Sequence, residues 1–331
     1  MERRVTIIYS EPVTSRYDEV GEAEAEKSIL DAVTAVCQAL DACGLKVGLL
    51  PLAPPWEKAV QTLGHLDSDV VFNLFEGFPG EPETEALLPE YLEGIGLPFT
   101  GCPAKALKLC LDKAKTKAIL KASGIPTPDY QIISPQALHS FELGYPCIVK
   151  PPAEDASHGI TETSVVNDFK SLEREVVRIS AIYGRALVEK FLGGREFNVT
   201  VLDEDGGLVL PVSEIGYSLP PYLPKILTFA AKWDKESEYY QGTGVICPAK
   251  LTPEEEKEIH ILSVSAFKLL GLRGYGRVDL RMDGEGRIHV LEVNPNPDIS
   301  PDAGVARQVK AYGISYNEFI EKLVRLALEK G

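Results

Sequence analysis

Residues 274–297 read GYGRVDLRMDGEGRIHVLEVNPNP and contain two strand-like runs, 276–282 and 287–293. The intervening turn, Asp283-Gly284-Glu285-Gly286, is typical of the connection in a β-hairpin. This stretch therefore predicts two adjacent antiparallel strands near the carboxyl end of the chain.

Four polar side chains lie on the predicted hairpin at a spacing of two residues. Side chains alternate between the faces of a strand, so Arg277 shares a face with Asp279, and Glu292 shares a face with Asn294. If the two faces coincide, two carboxylates and an amide meet beside an arginine. Such hard oxygen ligands suit Mg²⁺, which binds one or two carboxylates and completes its shell with phosphate oxygens and water. The alternative is a solvated hairpin face without a ligand.

The hydrophobic pattern divides the chain into three α/β units. In residues 1–101, strand-like runs are separated by a helical pattern, which predicts an open parallel sheet with right-handed crossovers. Residues 102–188 predict a smaller central unit that begins with a lysine-rich helix at 103–123. Residues 189–331 predict a larger α+β unit that contains the hairpin and a long loop at 216–244.

A second group of charged residues lies where predicted strands of the central unit end. Lys150 follows an otherwise apolar strand, precedes two prolines, and could reach a phosphate as a point charge. The loop at 154–159 could fold over that phosphate with its backbone N–H groups, although an ordinary surface loop is an equally good interpretation. The stretch 189–197 places two glutamates at the junction between units, where an adenine and a ribose would find polar partners.

The composition excludes several classes of function. The 331 residues include 34 Lys plus Arg and 49 Asp plus Glu, and the net charge of −15 opposes binding to nucleic acid. No apolar run reaches the roughly 18 residues of a membrane span, and six cysteines without zinc-site spacing indicate buried thiols. The chain has neither the Gly-Lys dipeptide of a P-loop nor a glycine fingerprint after the first strand. We therefore expect a cytoplasmic protein that binds neither nucleic acid nor membranes.

The order of the motifs resembles the ATP-grasp fold and, more narrowly, the D-alanine–D-alanine ligase family. The fragments that carry the resemblance are, in chain order, 96–101, 112–113, 124–128, 145–151, 188–190, 194–197, 274–279 and 291–294. The resemblance implies three α/β domains, with ATP held between the central and C-terminal domains. It also implies an ATP-dependent carboxylate–amine ligase that acts on amino-acid-like substrates through an acyl phosphate. Family members are commonly dimers, so a homodimer is expected.

The resemblance also implies roles for individual residues in binding ATP. They are Lys113 and Lys150 for the phosphates, Glu189, Lys190 and Leu192 for the adenine through side chain and backbone, and Glu196 for the ribose.

Further residues would act on the transferred group or hold metal ions. Ser157 would approach the transferred phosphoryl group, and Lys232 would close over the γ-phosphate from the long loop. Arg277 would stabilise the tetrahedral intermediate. Two Mg²⁺ ions, with Mn²⁺ as an alternative, would be ligated by Asp279, Glu292 and Asn294.

The part of the family pattern that binds the amino acids is changed. Ala156 occupies the position of a loop serine in the family pattern, and Trp233 occupies that of the tyrosine after the lysine that closes over the γ-phosphate. Ala303 occupies the position of the serine that holds the second substrate's carboxylate. Asp298 adds a negative charge to a turn that usually contains glycine, and only Glu24 or Glu26 could replace the N-terminal substrate-binding glutamate. A charged substrate group that loses its partner is rejected by several kcal/mol. We therefore expect a ligase of this family with a different carboxylate or amine.

Two other functions stay open at this point. The changed substrate side would suit an ATP-binding regulatory or scaffold protein without turnover. An ester-forming ligase that uses a hydroxy acid would keep the chemistry and replace the amine by a hydroxyl.

Overall fold

Three β-sheets organise the part of the chain that the structure, a computed structural model, describes: residues 3–12, 22–154 and 157–330. The first sheet consists of β1 (Arg4–Ser10), β2 (Lys46–Leu52) and β3 (Val70–Leu74) in the order β2-β1-β3, with all strands parallel. The helices of this region are α1 (Glu22–Ala42), α2 (Trp56–Leu63) and α3 (Leu87–Ile95). The predicted open parallel sheet is confirmed.

The second sheet is antiparallel and has four strands in the order β4-β7-β5-β6. Its strands are β4 (Tyr130–Ile133), β5 (Cys147–Lys150), β6 (Val165–Val166) and β7 (Ala186–Lys190). Helix α6 (Phe169–Tyr183) packs on this sheet and begins at a capping box formed by Asp168 and Ser171. Lys150 is thus the last residue of an inner strand.

The third sheet contains the hairpin and has the strand order β11-β10-β8-β12-β13, with β9 paired to β8. Its strands are β8 (Glu196–Leu202), β9 (Leu208–Val209), β10 (Ser213–Tyr217), β11 (Thr243–Ile246), β12 (Tyr275–Met282) and β13 (Ile288–Asn294). The helices of this region are α7 (Phe229–Trp233), α8 (Glu238–Gly242), α9 (Pro253–Leu269), α10 (Gly304–Tyr312) and α11 (Tyr316–Lys330). The predicted hairpin is confirmed as β12 and β13, which are antiparallel.

The lysine-rich helix predicted at 103–123 is in fact two helices, α4 (Ala104–Leu111) and α5 (Lys113–Ala122). Asp112 has φ −80° and ψ 89°, outside the helical region, and its carboxylate accepts a hydrogen bond from the Lys115 backbone N–H at 2.9 Å. An aspartate that caps a helix in this way competes with helix continuation. The break makes Lys113 the first residue of α5.

The stretch 216–244 is not the irregular loop predicted from its composition, because it contains α7, α8 and the start of β11. Its buried residues Ile226, Ala231 and Tyr239 pack against side chains of the second sheet and of the segment that follows it. The segment therefore covers the second sheet.

Hydrophobic packing crosses the predicted domain boundaries. Tyr275 of β12 is fully buried in one cluster with Val5 of β1 and Phe319 of α11. Strand β7 also crosses the boundary predicted at 188, so we propose that the central unit ends after Lys190. Among the described residues, every helix is too short or too polar to traverse a lipid bilayer.

Candidate active site

The hairpin brings four of the predicted polar side chains to one face. In the register of β12 and β13, Arg277 lies opposite Asn294, and Asp279 lies opposite Glu292. Directly opposed residues of antiparallel strands point to the same side of the sheet. The two faces inferred from the sequence therefore coincide.

Arg277 and Asp279 form a bidentate ion pair on this face. Arg277 Nε and Nη2 donate to the two carboxylate oxygens of Asp279, at 2.7 Å each. Two parallel N–H···O bonds fix the plane of a guanidinium as well as its position. The positive charge of Arg277 is thus held at a defined place on the hairpin.

Four cations converge on Glu292. Lys113 Nζ lies 3.3 Å from Glu292 Oε2, and 35% of the glutamate side chain remains exposed. Burial acts to raise the pKa of Glu292, but the pKa lies well below its usual range because of the charges of Lys113, Lys150, Arg277 and Lys232. The four residues come from α5, β5, β12 and α7, so charges from four separate elements act on one carboxylate.

Lys150 shares a second, fully buried carboxylate with another lysine. Glu189 has a side-chain exposure of 1%, and its two oxygens lie 3.0 Å from Lys150 Nζ and 3.2 Å from Lys117 Nζ. Burial acts to raise the pKa of Glu189, but the two lysines outweigh it and lower the pKa. The Glu189 carboxylate therefore orients two lysines, a task that the sequence did not indicate.

The sequence analysis missed Lys117. Its Nζ donates to Thr127 Oγ1 at 3.1 Å and to the Leu291 carbonyl at 2.9 Å, and burial lowers the pKa of Lys117 to about 8. Since Leu291 precedes Glu292, Lys117 links β7 to the hairpin. The four-residue spacing from Lys113 places both lysines on one face of α5 and could have revealed it.

The Lys190 side chain forms its hydrogen bonds outside the expected adenine site. Its Nζ donates to the carbonyls of Gly144 at 2.8 Å and Tyr145 at 3.0 Å, in the connection between β4 and β5. Leu192, which follows β7, is buried. For adenine binding we therefore retain only the backbone of Lys190, and this contact stays a prediction.

Glu196 lies on the same face of the third sheet as the hairpin cluster. Its Oε2 accepts hydrogen bonds from Tyr217 Oη and Arg281 Nη1, at 2.8 Å each. Burial raises the pKa of Glu196, although the Arg281 charge opposes this shift. In the strand register, Glu196 lies opposite Arg281, two residues beyond Asp279.

The two segments expected to act as lids contact each other. Ser157 has a positive φ of 66°, and the next residue, His158, packs on the ring of Phe229 with 4.8 Å between ring centroids. Phe229 belongs to α7, which also carries Lys232. Ser157 and Lys232 therefore lie on segments that touch. Ala156 and the side chains of Glu24 and Glu26 lie outside the described residues.

A small cavity of about 20 Å³ lies between the end of β3 and the turn after β13. Its lining includes two acidic residues, Glu76 and Asp298. Asp298 Oδ1 accepts from Ser300 N at 2.8 Å and from Ser300 Oγ at 2.5 Å. Ala303 is the N-cap of α10 and makes no side-chain cap hydrogen bond. The cavity is thus acidic, and Glu76 is a second residue that the sequence analysis missed.

The hairpin residues fit a magnesium ion that also binds phosphate. No group of three or more His, Cys, Asp or Glu side chains suited to a metal occurs in residues 3–12, 22–154 and 157–330. Asp279 and Glu292 supply two carboxylates, and Asn294 Oδ1 is an amide oxygen that accepts from Asn296 N at 2.8 Å. Mg²⁺ commonly uses one or two carboxylates and takes its remaining ligands from phosphates and water.

Both a family model and individual known proteins match the sequence of this chain. Residues 119–325 match the family described as "D-ala D-ala ligase C-terminus". The D-alanine–D-alanine ligase of Haemophilus influenzae is 34% identical over 266 residues, covering 78% of this chain and 82% of the relative. That of Desulforudis audaxviator is 31% identical over 319 residues, covering 94% of this chain and 97% of the relative.

A solved structure supports the fold independently. The D-alanine–D-alanine ligase of Bacillus anthracis complexed with ATP superposes with a TM-score of 0.75 at 20% identity and covers 100% of both chains. At this identity the likeness concerns the fold, which is the ATP-grasp fold expected from the motifs. The names of these relatives give no support to the expected change of substrate.

Proposed function

The chain belongs to the D-alanine–D-alanine ligase family, and on that premise we propose that the crevice around Glu292 joins a carboxylate to an amine at the expense of ATP. Family membership makes the chain an ATP-dependent ligase that forms carbon–nitrogen bonds. In the proposed first step, a carboxylate oxygen attacks the γ-phosphorus and ADP leaves. In the second, an amine attacks the resulting acyl phosphate, phosphate leaves, and the amine loses a proton as the amide forms.

One observation carries this proposal: the convergence of four cations on one partly exposed carboxylate. Lys113, Lys150, Arg277 and Lys232 all lower the pKa of Glu292, although they come from different elements. A carboxylate and a triphosphate repel each other, so a reaction between them needs concentrated positive charge and fixed alignment. A solvated hairpin face needs neither.

The nucleotide would lie between the second and third sheets. Lys113 and Lys150 would bind its phosphates, and the buried Glu189 would hold Lys150 in place through the 3.0 Å ion pair. The backbone near Lys190 and the apolar side chain of Leu192 would contact the adenine. Glu196 would accept hydrogen bonds from the ribose.

Asp279, Glu292 and Asn294 would hold Mg²⁺ at the phosphates. When bound, the metal supplies charge neutralisation and a fixed orientation of the phosphate oxygens. The low pKa of Glu292 keeps this ligand ionised at neutral pH. Arg277, whose plane is fixed by Asp279, would stabilise the negative charge of the tetrahedral intermediate.

The covering segments would protect the acyl phosphate from water. Lys232 lies on α7, and His158 beside Ser157 packs on the same helix, so the two segments form one cover. Exclusion of water prevents hydrolysis of a reactive intermediate and strengthens each charge interaction inside the site.

D-alanine is the first substrate that we propose for both positions, because the relatives are named for its use. A second candidate acceptor, an amine with an additional positive charge, is favoured by the acidic cavity. Both Glu76 and Asp298 line this cavity, and opposite charges across a binding site favour a cationic ligand.

A phosphate-release assay tests the proposed function and separates the candidates. The protein is supplied with ATP and Mg²⁺, and with D-alanine, L-alanine, D-lactate, or D-alanine plus a diamine, while mass spectrometry identifies the product. We expect release only with an amino acid and an amide product. D-alanyl-D-alanine identifies the first candidate, whereas release that requires the diamine identifies the second.

Two results would contradict the proposal. Tight binding of ATP without phosphate release in any mixture would support the scaffold function. An ester product from D-lactate, with no amide from any amine, would support the ester-forming ligase.

A further inference from the structure

Arg281 lies on β12 beside the hairpin cluster but has no role in the chemistry described above. It is 4% exposed, and it lies opposite Glu196 in the register of β12 and β8, just as Asp279 lies opposite Asn198. Residues two apart on a strand share a face, so Arg281 extends the row formed by Arg277 and Asp279.

The two terminal nitrogens of the Arg281 guanidinium bond to different elements. Nη1 donates to Glu196 Oε2 at 2.8 Å, and Nη2 donates to the Lys225 carbonyl at 2.5 Å. The guanidinium carbon lies 5.0 Å from the ring centroid of Phe191 and 5.9 Å from that of Tyr217. Such cation–π contacts fix the orientation of a guanidinium. Arg281 therefore connects β8 to the covering segment that carries Lys232.

These contacts direct both protein donors to one oxygen of Glu196. Tyr217 Oη and Arg281 Nη1 each bond to Oε2. Within residues 3–12, 22–154 and 157–330, Oε1 receives no protein hydrogen bond, and 12% of the side chain is exposed. A carboxylate held through one oxygen presents the other in a fixed direction. Two neighbouring hydroxyl groups, as in a ribose, are suitable donors for it.

The contacts of Arg281 do not favour a purely structural role. Its Nε is buried and has no hydrogen-bond acceptor within the described part of the chain. A buried ion pair with an unsatisfied donor is often no more stabilising than well-packed apolar side chains. A methionine would fill similar space without these costs.

We propose that Arg281 is a positioning residue for the nucleotide ribose, because it fixes Glu196 with one carboxylate oxygen directed to the ribose hydroxyls. This inference rests on the proposed function, in which Glu196 binds the ribose of ATP. The inference further predicts that the site prefers nucleotides that carry both ribose hydroxyl groups.

The test compares kcat/KM for ATP, 2′-deoxy-ATP and 3′-deoxy-ATP in the wild type and in Arg281→Met. In the wild type, kcat/KM for ATP should exceed that for either deoxynucleotide at least about tenfold. This is the change typical of losing a hydrogen bond to a charged group. In Arg281→Met, KM for ATP should rise by about the same factor and the preference should approach one, because Glu196 is no longer oriented. kcat at saturating ATP should change little.

Arg195→Met is the matched control. Arg195 also stacks on a phenylalanine, with 4.9 Å to the Phe197 ring centroid, and it also pairs with a glutamate, Glu214, at 2.7 Å. The Arg195→Met variant should be less stable than the wild type but should keep the preference for ATP over the deoxynucleotides.

A preference that is unchanged in folded Arg281→Met would overturn the inference. If that variant fails to fold, Arg281→Gln removes the charge but keeps a polar side chain, and an unchanged preference there has the same meaning. Failure of the proposed function is distinguishable, because the wild type would then show either no ATP turnover or an ester product in place of an amide.

Discussion

Arg277→Ala is expected to lower kcat of the ligase reaction about 100- to 1,000-fold, the range seen when one preorganised stabiliser of transition-state charge is removed. Arg277 is held by two 2.7 Å hydrogen bonds to Asp279, so its charge has a fixed place beside the proposed metal ligands. The affinity for ATP should be preserved, because Lys113 and Lys150 are unchanged. Steady-state kinetics and calorimetric titration with ATP measure the two quantities.

Arg287→Ala provides the control for Arg277→Ala. Arg287 also pairs with an aspartate of the hairpin, Asp283, at 2.7 Å, but it is 66% exposed and lies at the turn. Its loss should leave kcat unchanged. A kcat of Arg277→Ala close to that of this control, or a loss explained entirely by weaker ATP binding, would contradict the assignment.

Glu292→Gln is expected to remove activity together with its dependence on Mg²⁺. The substitution keeps the shape of the side chain and removes the charge that faces Lys113 at 3.3 Å. Loss of a metal ligand should cost about 100- to 1,000-fold in kcat, since a bound metal contributes several kcal/mol of charge stabilisation. Activity measured across a range of Mg²⁺ concentrations reports the effect.

Glu285→Gln is the control for Glu292→Gln, because Glu285 is an exposed acid of the same hairpin that pairs with Arg287 at 3.2 Å. It should behave as wild type. If Glu292→Gln kept the Mg²⁺ activation curve of the wild type, the proposed metal site would be wrong.

The hairpin could be predicted from the sequence because its signals are local. The turn at 283–286 and the two-residue spacing of Arg277 and Asp279 determine the connection and the shared face. The opposed pairing with Asn294 and Glu292 depends on a register shift between Asp279 and Leu280, which neither the turn nor the spacing predicts. The D-alanine–D-alanine ligase resemblance, confirmed by the family match, rests on such local fragments.

The remaining features depend on contacts between distant residues. Lys117 resembles a solvated helical lysine until Glu189 and the Leu291 carbonyl are placed beside it. The direction of the Lys190 side chain is set by carbonyls in the β4–β5 connection. Arg281 looks like a polar residue on a sheet until Glu196 and Lys225 surround it. Apart from the four-residue spacing of Lys113 and Lys117 on α5, no periodicity within one element indicates these arrangements.

The break in the lysine-rich helix is a different case, because its signal is local and the prediction of one helix at 103–123 did not include it. Asp112 caps α5 through Lys115 N at 2.9 Å, which a sequence pattern can show. The predicted end of this helix at 123 agrees with the structure, where Gly124 has a φ of 75°, a conformation that favours glycine after a helix.

Anomalous scattering from crystals grown with Mn²⁺ and a non-hydrolysable ATP analogue tests the central claim most directly, because it locates the metal and the triphosphate together. We predict manganese peaks about 2.1 Å from carboxylate oxygens of Asp279 and Glu292. The triphosphate should lie between these peaks and Lys113, Lys150, Lys232 and Arg277. Manganese or an ordered triphosphate bound elsewhere, with this crevice empty, would contradict the account.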